Sequence, residues 1–373
     1  MPTSVTRFLA DHFAENGGQL SFERYMQLAL YHPDFGYYAS NIQAVGGQRS
    51  DFTTAAELSP LLAQSISAWI LRERDSSPLL KNARPLHVIE VGCGDGSLAH
   101  DILRTWSWWK RRRIRYHLVE TSAPLLQRQQ QKLQAFRKHC YWHQDMPSAL
   151  SSASGHALIF SNELIDAFPA TAIRWHAANQ QWQEIHLRFD PESGLREVFV
   201  PLSHDQIKRL APHFSILNSN SKNLPDGTRR EFHRSARDWM QSWSDSLQHG
   251  SILTIDYGAA IDHLYHRRPE GSLRAYYRHQ CLRGAAIYQR FGKQDLTADV
   301  NFTDLEIWGE HCGFKNIRLE SLHHFTQRHQ LQNKIPGKAH SDVTAPAPPS
   351  HAHSIQDPDG SGSAFQVLLQ HKI

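Results

Sequence analysis

The residues able to do chemistry concentrate at three places. The first is Val88-Ile89-Glu90-Val91-Gly92-Cys93-Gly94-Asp95-Gly96-Ser97. A short β-branched run ends there in glycines, and a helical pattern follows at once. Glycines at such a junction let the backbone approach a ligand closely, and the start of the helix offers free N–H groups. A dinucleotide loop wants G-x-G-x-x-G. Counted from Gly92, the sixth position is Ser97, so Glu90 with Gly92, Gly94 and Gly96 makes E-x-G-x-G-x-G instead. That spacing disfavours a nicotinamide dehydrogenase. The second place is Val119-Glu120, where an acid at a strand end can accept hydrogen bonds from both hydroxyls of a ribose. Capping of the helix before Pro124 is the alternative. Further on, Asp145 reads either as a contact to an adenine edge or as a turn residue before Met146-Pro147. The third place is Ser161-Asn162-Glu163-Leu164-Ile165-Asp166. Asn162 and Glu163 should face the substrate side of a pocket at the strand ends. Glu163 and Asp166, three apart, can bind a cationic substrate or take its proton; as acids at a helix start they would instead favour its dipole. Asp256-Tyr257-Gly258 repeats an acid after a strand, where a turn is an equal reading.

These residues need a scaffold, and the pattern predicts one. Residues 88–91, 116–119, 140–142, 157–160 and 251–255 read as strands. Residues 98–109 and 124–136 read as helices between them. Strands alternating with helices give an α/β fold built on a parallel sheet. Upstream, 20–31 reads as a helix that stops at His32-Pro33-Asp34-Phe35-Gly36. Ser59-Pro60 opens another helix, with Leu61, Leu62, Ile66, Trp69 and Ile70 on one stripe. The span 175–245 is too long for a crossover and predicts an inserted subdomain, with a strand at 182–187. Residues 333–363 fill with Pro, Ser, His and Gly and predict disorder or a surface loop. Strand character at 316–322 and again at 365–369 suggests pairing back across that loop. The expected division is a helical cap at 1–84, a core at 85–174, the insertion at 175–245, a core continuation at 246–332, the loop at 333–363 and a final core strand at 364–373.

Composition excludes some classes. The chain has 373 residues, a net charge of +4 with His neutral, and 40% apolar residues. No apolar run approaches the roughly 18 residues of a membrane span, so no membrane insertion is expected. Met1 to Gly18 carries Asp11 and Glu15 and shows no signal or transit segment, which predicts a cytoplasmic protein. The basic run Lys110-Arg111-Arg112-Arg113 follows Trp106, Trp108 and Trp109. It reads as a solvated helix end, so no nucleic-acid partner is expected. Four separated cysteines make neither a disulfide framework nor a zinc site. The 25 histidines include pairs such as His263 and His266 that lack a third ligand, so no metal is expected. Oligomeric state is left open.

Taken in order, the motifs resemble the MidA-like class I S-adenosylmethionine-dependent methyltransferases, whose mitochondrial members are complex I assembly factors with protein arginine methyltransferase activity. The resemblance runs through Tyr25-Met26-Gln27-Leu28-Ala29-Leu30-Tyr31-His32-Pro33, Gly36-Tyr37-Tyr38 and Asp51-Phe52-Thr53-Thr54-Ala55. It continues through the glycine loop, Val119-Glu120-Thr121-Ser122, Asn162-Glu163 with Asp166-Ala167-Phe168-Pro169, Asp256-Tyr257-Gly258, Leu273 to His279 and Asp295-Leu296-Thr297-Ala298. Departures fall at Ser50, Ala56 and Asp299, and residues 281–292 do not follow the usual loop. The resemblance implies a Rossmann-like methyltransferase sheet, S-adenosyl-L-methionine as cofactor and a protein arginine as target, with a respiratory-complex-like subunit as one candidate substrate. It implies Glu90, Gly92, Gly94, Gly96, Glu120, Asp145, Asp51 and Thr53 at the cofactor. Glu163, Asp166, Asn162 and His279 fall at the catalytic positions, with Glu57 closing the pocket. A non-catalytic assembly factor that keeps the fold is the rival reading.

Overall fold

The computed structural model describes residues 4–41, 60–190, 192–218, 224–266, 268–278, 280–330 and 364–372. Asp51, Thr53, Glu57, Ser59, His279 and the polar stretch 333–363 lie outside the described residues. The chain forms two compact units: Thr53–Leu164, Trp243–Tyr257 and Cys312–Ile373 make one, and Met1–Phe52, Ile165–Ser242 and Gly258–His311 make the other. The first of these is the core unit.

The core unit is built on strands β1 (Leu86–Val91), β2 (Ile114–Val119), β3 (Cys140–His143), β4 (His156–Asn162), β5 (His249–Ala259), β6 (Phe314–Ser321) and β7 (Phe365–Lys372). Their order across the sheet is β6-β7-β5-β4-β1-β2-β3. Strands β1 to β5 run parallel, and β7 lies antiparallel between β5 and β6. The α/β expectation is therefore met. Between β1 and β4 the order reverses: the chain steps outward from β1 to β2 and β3, then returns to β4 on the other side. Ligands in open α/β sheets sit beyond the carboxyl ends of the strands at such a reversal.

Helices α1 (Pro60–Ser76), α2 (Ser97–Thr105) and α3 (Ala123–Lys132) belong to the same unit. The predicted stripe on α1 is buried: Leu62, Ile66, Trp69 and Ile70 pack with Ile102 and Leu103 of α2 and with Val88, Tyr116, Leu118, Phe160 and Leu253 of the strands. Burial of such side chains contributes roughly 1.5–3 kcal/mol each. Helix α2 ends at Thr105, earlier than the apolar pattern to Trp109 predicts. Trp106 turns extended there (φ −89°, ψ 135°), and its buried indole donates to Ser67 Oγ of α1 at 2.6 Å. Packing against α1 outweighs continuation of the helix.

In the second unit, an antiparallel sheet orders Gln19–Ser21, Gln181–Asp190, Thr171–His176 and Arg229–Phe232, with Gly194–Pro201 also paired to Gln181–Asp190. Helices Ser4–Glu15 and Phe22–Tyr31 belong here, the latter capped by Ser21. A small sheet of Gln280–Leu282, Arg274–Tyr277 and Asp295–Thr297 completes it. Residues 1–84 thus divide between the units: the first 52 group with 165–242, and the helices from Pro60 group with the core. Residues 258–311, expected as core, group with the second unit.

Candidate active site

Three strand ends of the core unit carry the site. At the end of β1 the chain passes through Gly92 (φ 70°), Gly94 (φ 53°) and Gly96 (φ 83°), all in the left-handed region that a side chain disfavours. Gly96 is the N-cap of α2 and brings no side chain of its own to that helix start. Asp95 turns back to accept from the Ser97 N–H at 2.9 Å and pairs with Lys132 of α3.

Glu90, in β1, is 3% exposed and accepts from the Tyr116 hydroxyl of β2 at 2.6 Å. Burial dominates its titration and pushes the carboxyl up to about 8. Glu120 follows β2. Its Oε1 accepts from the Ser122 N–H at 2.9 Å and its Oε2 from Gln129 Nε2 at 3.3 Å. Burial pushes it up to about 7, against the pull of those hydrogen bonds. The capping alternative for Glu120 is taken by Ser122, whose hydroxyl accepts from the Leu125 N–H at the start of α3.

Sequence reasoning missed Gln129. Its Nε2 also donates to the Gly94 carbonyl at 2.8 Å, tying α3 to both the glycine loop and Glu120. Its Oε1 is buried with no partner among the described residues. Nothing in Gln127-Arg128-Gln129-Gln130-Gln131 sets it apart from a polar helix face; only its inward phase on α3 does. Asp145 caps the helix Met146–Ser152, accepting from the Ser148 N–H at 2.8 Å, and those bonds hold its carboxyl below the usual range.

After β4 the backbone turns sharply. Glu163 stands at φ 52°, uncommon for a residue with a side chain and a form of strain that gathers at functional sites. Its N–H donates to the Ile255 carbonyl at 3.0 Å. Asn162 Nδ2 donates to Glu163 Oε1 at 3.0 Å, while Asn162 Oδ1 is buried without a partner among the described residues. Asp256, which the sequence leaves as a turn residue, is fully buried and accepts from the N–H groups of Leu164 and Tyr257 at 3.2 and 2.8 Å. It is a clasp on the turn that presents Glu163.

Asp166 belongs to the second unit and lies in a single 3-10 turn, Ile165–Ala167. Its Oδ2 accepts from the Thr297 hydroxyl at 2.8 Å, and burial pushes its carboxyl up. Nearby, Asp295 accepts from the Tyr38 hydroxyl at 2.8 Å and is pushed up to about 8, by burial first and by Asp166 second. Asp299, one of the departures from the expected pattern, pairs with both Arg268 and Arg274. Among the described residues, no group of three His, Cys, Asp or Glu side chains is arranged to hold a metal.

A family model described as putative S-adenosyl-L-methionine-dependent methyltransferase matches residues 65–319, more than half of the chain. Among curated proteins, the chain is 26% identical over 336 residues to the protein arginine methyltransferase NDUFAF7, mitochondrial, of Danio rerio, covering 81% of this chain and 72% of that one. It is 24% identical over 333 residues to the homologue of Caenorhabditis elegans, also named as a mitochondrial protein arginine methyltransferase, covering 80% and 70%. Among solved structures, a Burkholderia thailandensis protein bound to S-adenosyl-homocysteine superposes with a TM-score of 0.80 at 24% identity, covering 98% of this chain and 91% of that one. The last likeness shows the fold: the Rossmann-like methyltransferase sheet expected from the motifs. One expectation is corrected. The cytoplasmic assignment rested on the lack of a visible leader, and the curated relatives are named mitochondrial.

Proposed function

Because this chain belongs to the family of putative S-adenosyl-L-methionine-dependent methyltransferases, we propose that it transfers the methyl group of S-adenosylmethionine to an arginine of a protein substrate. The observation that carries the reading is the turn of three left-handed glycines at the strand-order reversal, with buried Glu90 and Glu120 beside it.

The residues present fit that cofactor. Glu120 would hold the ribose hydroxyls, and the backbone at Gly94 and Gly96 would lie against the bound molecule, where a side chain would intrude. Among the described residues, the buried acceptors Asn162 Oδ1 and Gln129 Oε1 have no partner, which suits a ligand with an ammonium group and hydroxyls. Asp145 is proposed at the adenine edge, and Asp51 and Thr53 on the sequence pattern alone. When bound, the cofactor supplies an activated methyl on a sulfonium, so the protein's task is to position the reactants and exclude water.

The target class rests on the relatives' names. A guanidinium is planar and permanently charged, and a carboxylate can hold it through paired N–H donors. Glu163 is proposed to orient it and to receive the proton the methylated nitrogen sheds. Asn162 fixes the Glu163 carboxylate through the 3.0 Å bond. Asp166, as a second carboxylate for the target, and His279, as an auxiliary base, are proposed on the sequence pattern alone.

Isothermal titration with S-adenosylmethionine tests the cofactor claim. The wild-type chain should bind and Gly94→Val should not; a wild type that does not bind defeats it. The target claim is tested with labelled cofactor and mass spectrometry of the products. Label on arginine is expected, and label confined to another residue type removes the arginine assignment. Binding without turnover on any protein would favour the assembly-factor reading.

A further inference from the structure

The end of the core sheet opposite the glycine loop carries an unusual surface. Strands β1, β2 and β3 are parallel, and the registers Leu86 with Ile114 and Tyr116 with Cys140 put their starts side by side. The segments leading into them therefore share one end: the helix Pro78–Asn82, the helix Trp108–Arg111 and the 3-10 turn Gln134–His139. Three large apolar side chains stand out from these segments into solvent: Leu79 at 59% exposure, Trp108 at 50% and Trp109 at 72%. The same segments and the residues that join them to the strands carry the exposed cations Lys81, Arg84, Lys110, Arg112, Arg113 and Arg137. None of the six makes an ion pair among the described residues. The sequence has no Asp or Glu between Asp75 and Glu90, between Asp101 and Glu120, or between Glu120 and Asp145.

A solvated helix end explains only part of this. Arg111 bends back and donates to the carbonyls of Leu103 and Trp106 at 3.1 and 2.5 Å, capping α2. Lys110, Arg112 and Arg113 have no such task, and water gives no reason to expose two adjacent indoles. We propose that this end of the core unit docks on an anionic phospholipid surface, with Trp108, Trp109 and Leu79 at headgroup depth and the cations against the phosphates. Indoles favour the membrane interface, and basic side chains beside them add attraction to acidic lipids. A single-stranded nucleic acid would need open aromatic faces for its bases. Here the Arg112 guanidinium lies 4.5 Å over the Trp108 ring, and Trp109 packs edge-on at 4.6 Å. Docked this way, the carboxyl ends of β1, β2 and β4 would point away from the lipid, leaving the glycine loop accessible.

The test is cosedimentation of the full chain with vesicles of phosphatidylcholine alone, or of phosphatidylcholine with phosphatidylglycerol. Binding to the anionic vesicles only is expected, and it should weaken as salt rises. The double variant Trp108→Ser/Trp109→Ser and the triple variant Lys110→Glu/Arg112→Glu/Arg113→Glu should each lower binding at least about tenfold, with unchanged thermal melting. Emission of the wild type should also be quenched by brominated acyl chains, which reports indole insertion without any variant. Wild type left in the supernatant, equal binding to both vesicle types, absent quenching, or single-stranded RNA binding tighter than vesicle binding would each overturn the proposal.

Discussion

Glu120 shows how one residue links site and stability. Its carboxyl titrates near 7 in the folded chain against an ordinary value of 4.5. The folded state therefore keeps its proton longer than the unfolded state does. The stabilisation this gives is complete below about pH 4.5 and is lost as pH rises through about 7. Glu120→Gln removes that dependence. Without cofactor, the variant should gain on the wild type by at most about 3 kcal/mol between pH 5 and 8, read from urea midpoints. It should also bind S-adenosylmethionine at least about tenfold more weakly, since a neutral amide accepts less well. An unchanged pH profile would show that Glu120 is ionised and solvated. Histidines act at the other side of neutrality. His87, His117 and His143 form a hydrogen-bonded row across β1, β2 and β3, with N···N distances of 2.8 and 2.9 Å. Burial holds His117 down to about 3, so its stabilisation is present above 6.5 and is lost as pH falls toward 3. The glycine turn was legible in the sequence because a left-handed junction between strand and helix favours that residue type, and Glu120 because the end of a strand could be read from the run before it. Gln129 and Asp256 were not, because their roles depend on which way a helix and a turn face.

At the scale of elements, the parallel sheet is held at one point by a bare backbone. A Cβ on Gly250 of β5 would come within 1.9 Å of the Ala157 carbonyl oxygen of β4, a backbone atom that cannot swing aside. Gly250→Ala should cost about 3 kcal/mol or more. Gly194→Ala has nothing within 4 Å and should cost only about 1 kcal/mol for its left-handed φ. Denaturant midpoints of the two variants should differ accordingly, and similar losses would contradict the packing argument. The alternation of strands and helices was readable because each element of the core carries its own period. Leu20 and Ser21 of the strand Gln19–Ser21 instead read as the start of a helix, because the partner strand Gln181–Asp190 lies far along the chain and leaves no local trace. Nor did periodicity reveal that 258–311 groups with the N-terminal residues.

For the whole molecule, net charge conceals more than it tells. The value of +4 averages cation-rich stretches without acids, such as 76–89 and 102–119, against buried acids such as Asp166, Asp295 and Asp304 in the other unit. Whole-chain arithmetic could not separate them, because only folding sorts charges into places. The position of β7 has a further effect on integrity. It pairs with β5 through Gly250 to Tyr257 and with β6 through Phe314 to Ser321, so it sits inside the sheet. Deleting 364–373 leaves two long unpaired edges facing each other across a gap, and such edges template aggregation. The truncated chain should move from the soluble to the insoluble fraction on expression. A soluble, cofactor-binding product would show that β7 is dispensable. Synthesis runs from the amino end, so β7 is the last strand of this sheet to leave the ribosome. Every nascent copy must carry those open edges until it appears, and a message cut short before the codon for Phe365 yields a product whose defect is exposed for chaperones and proteases to read.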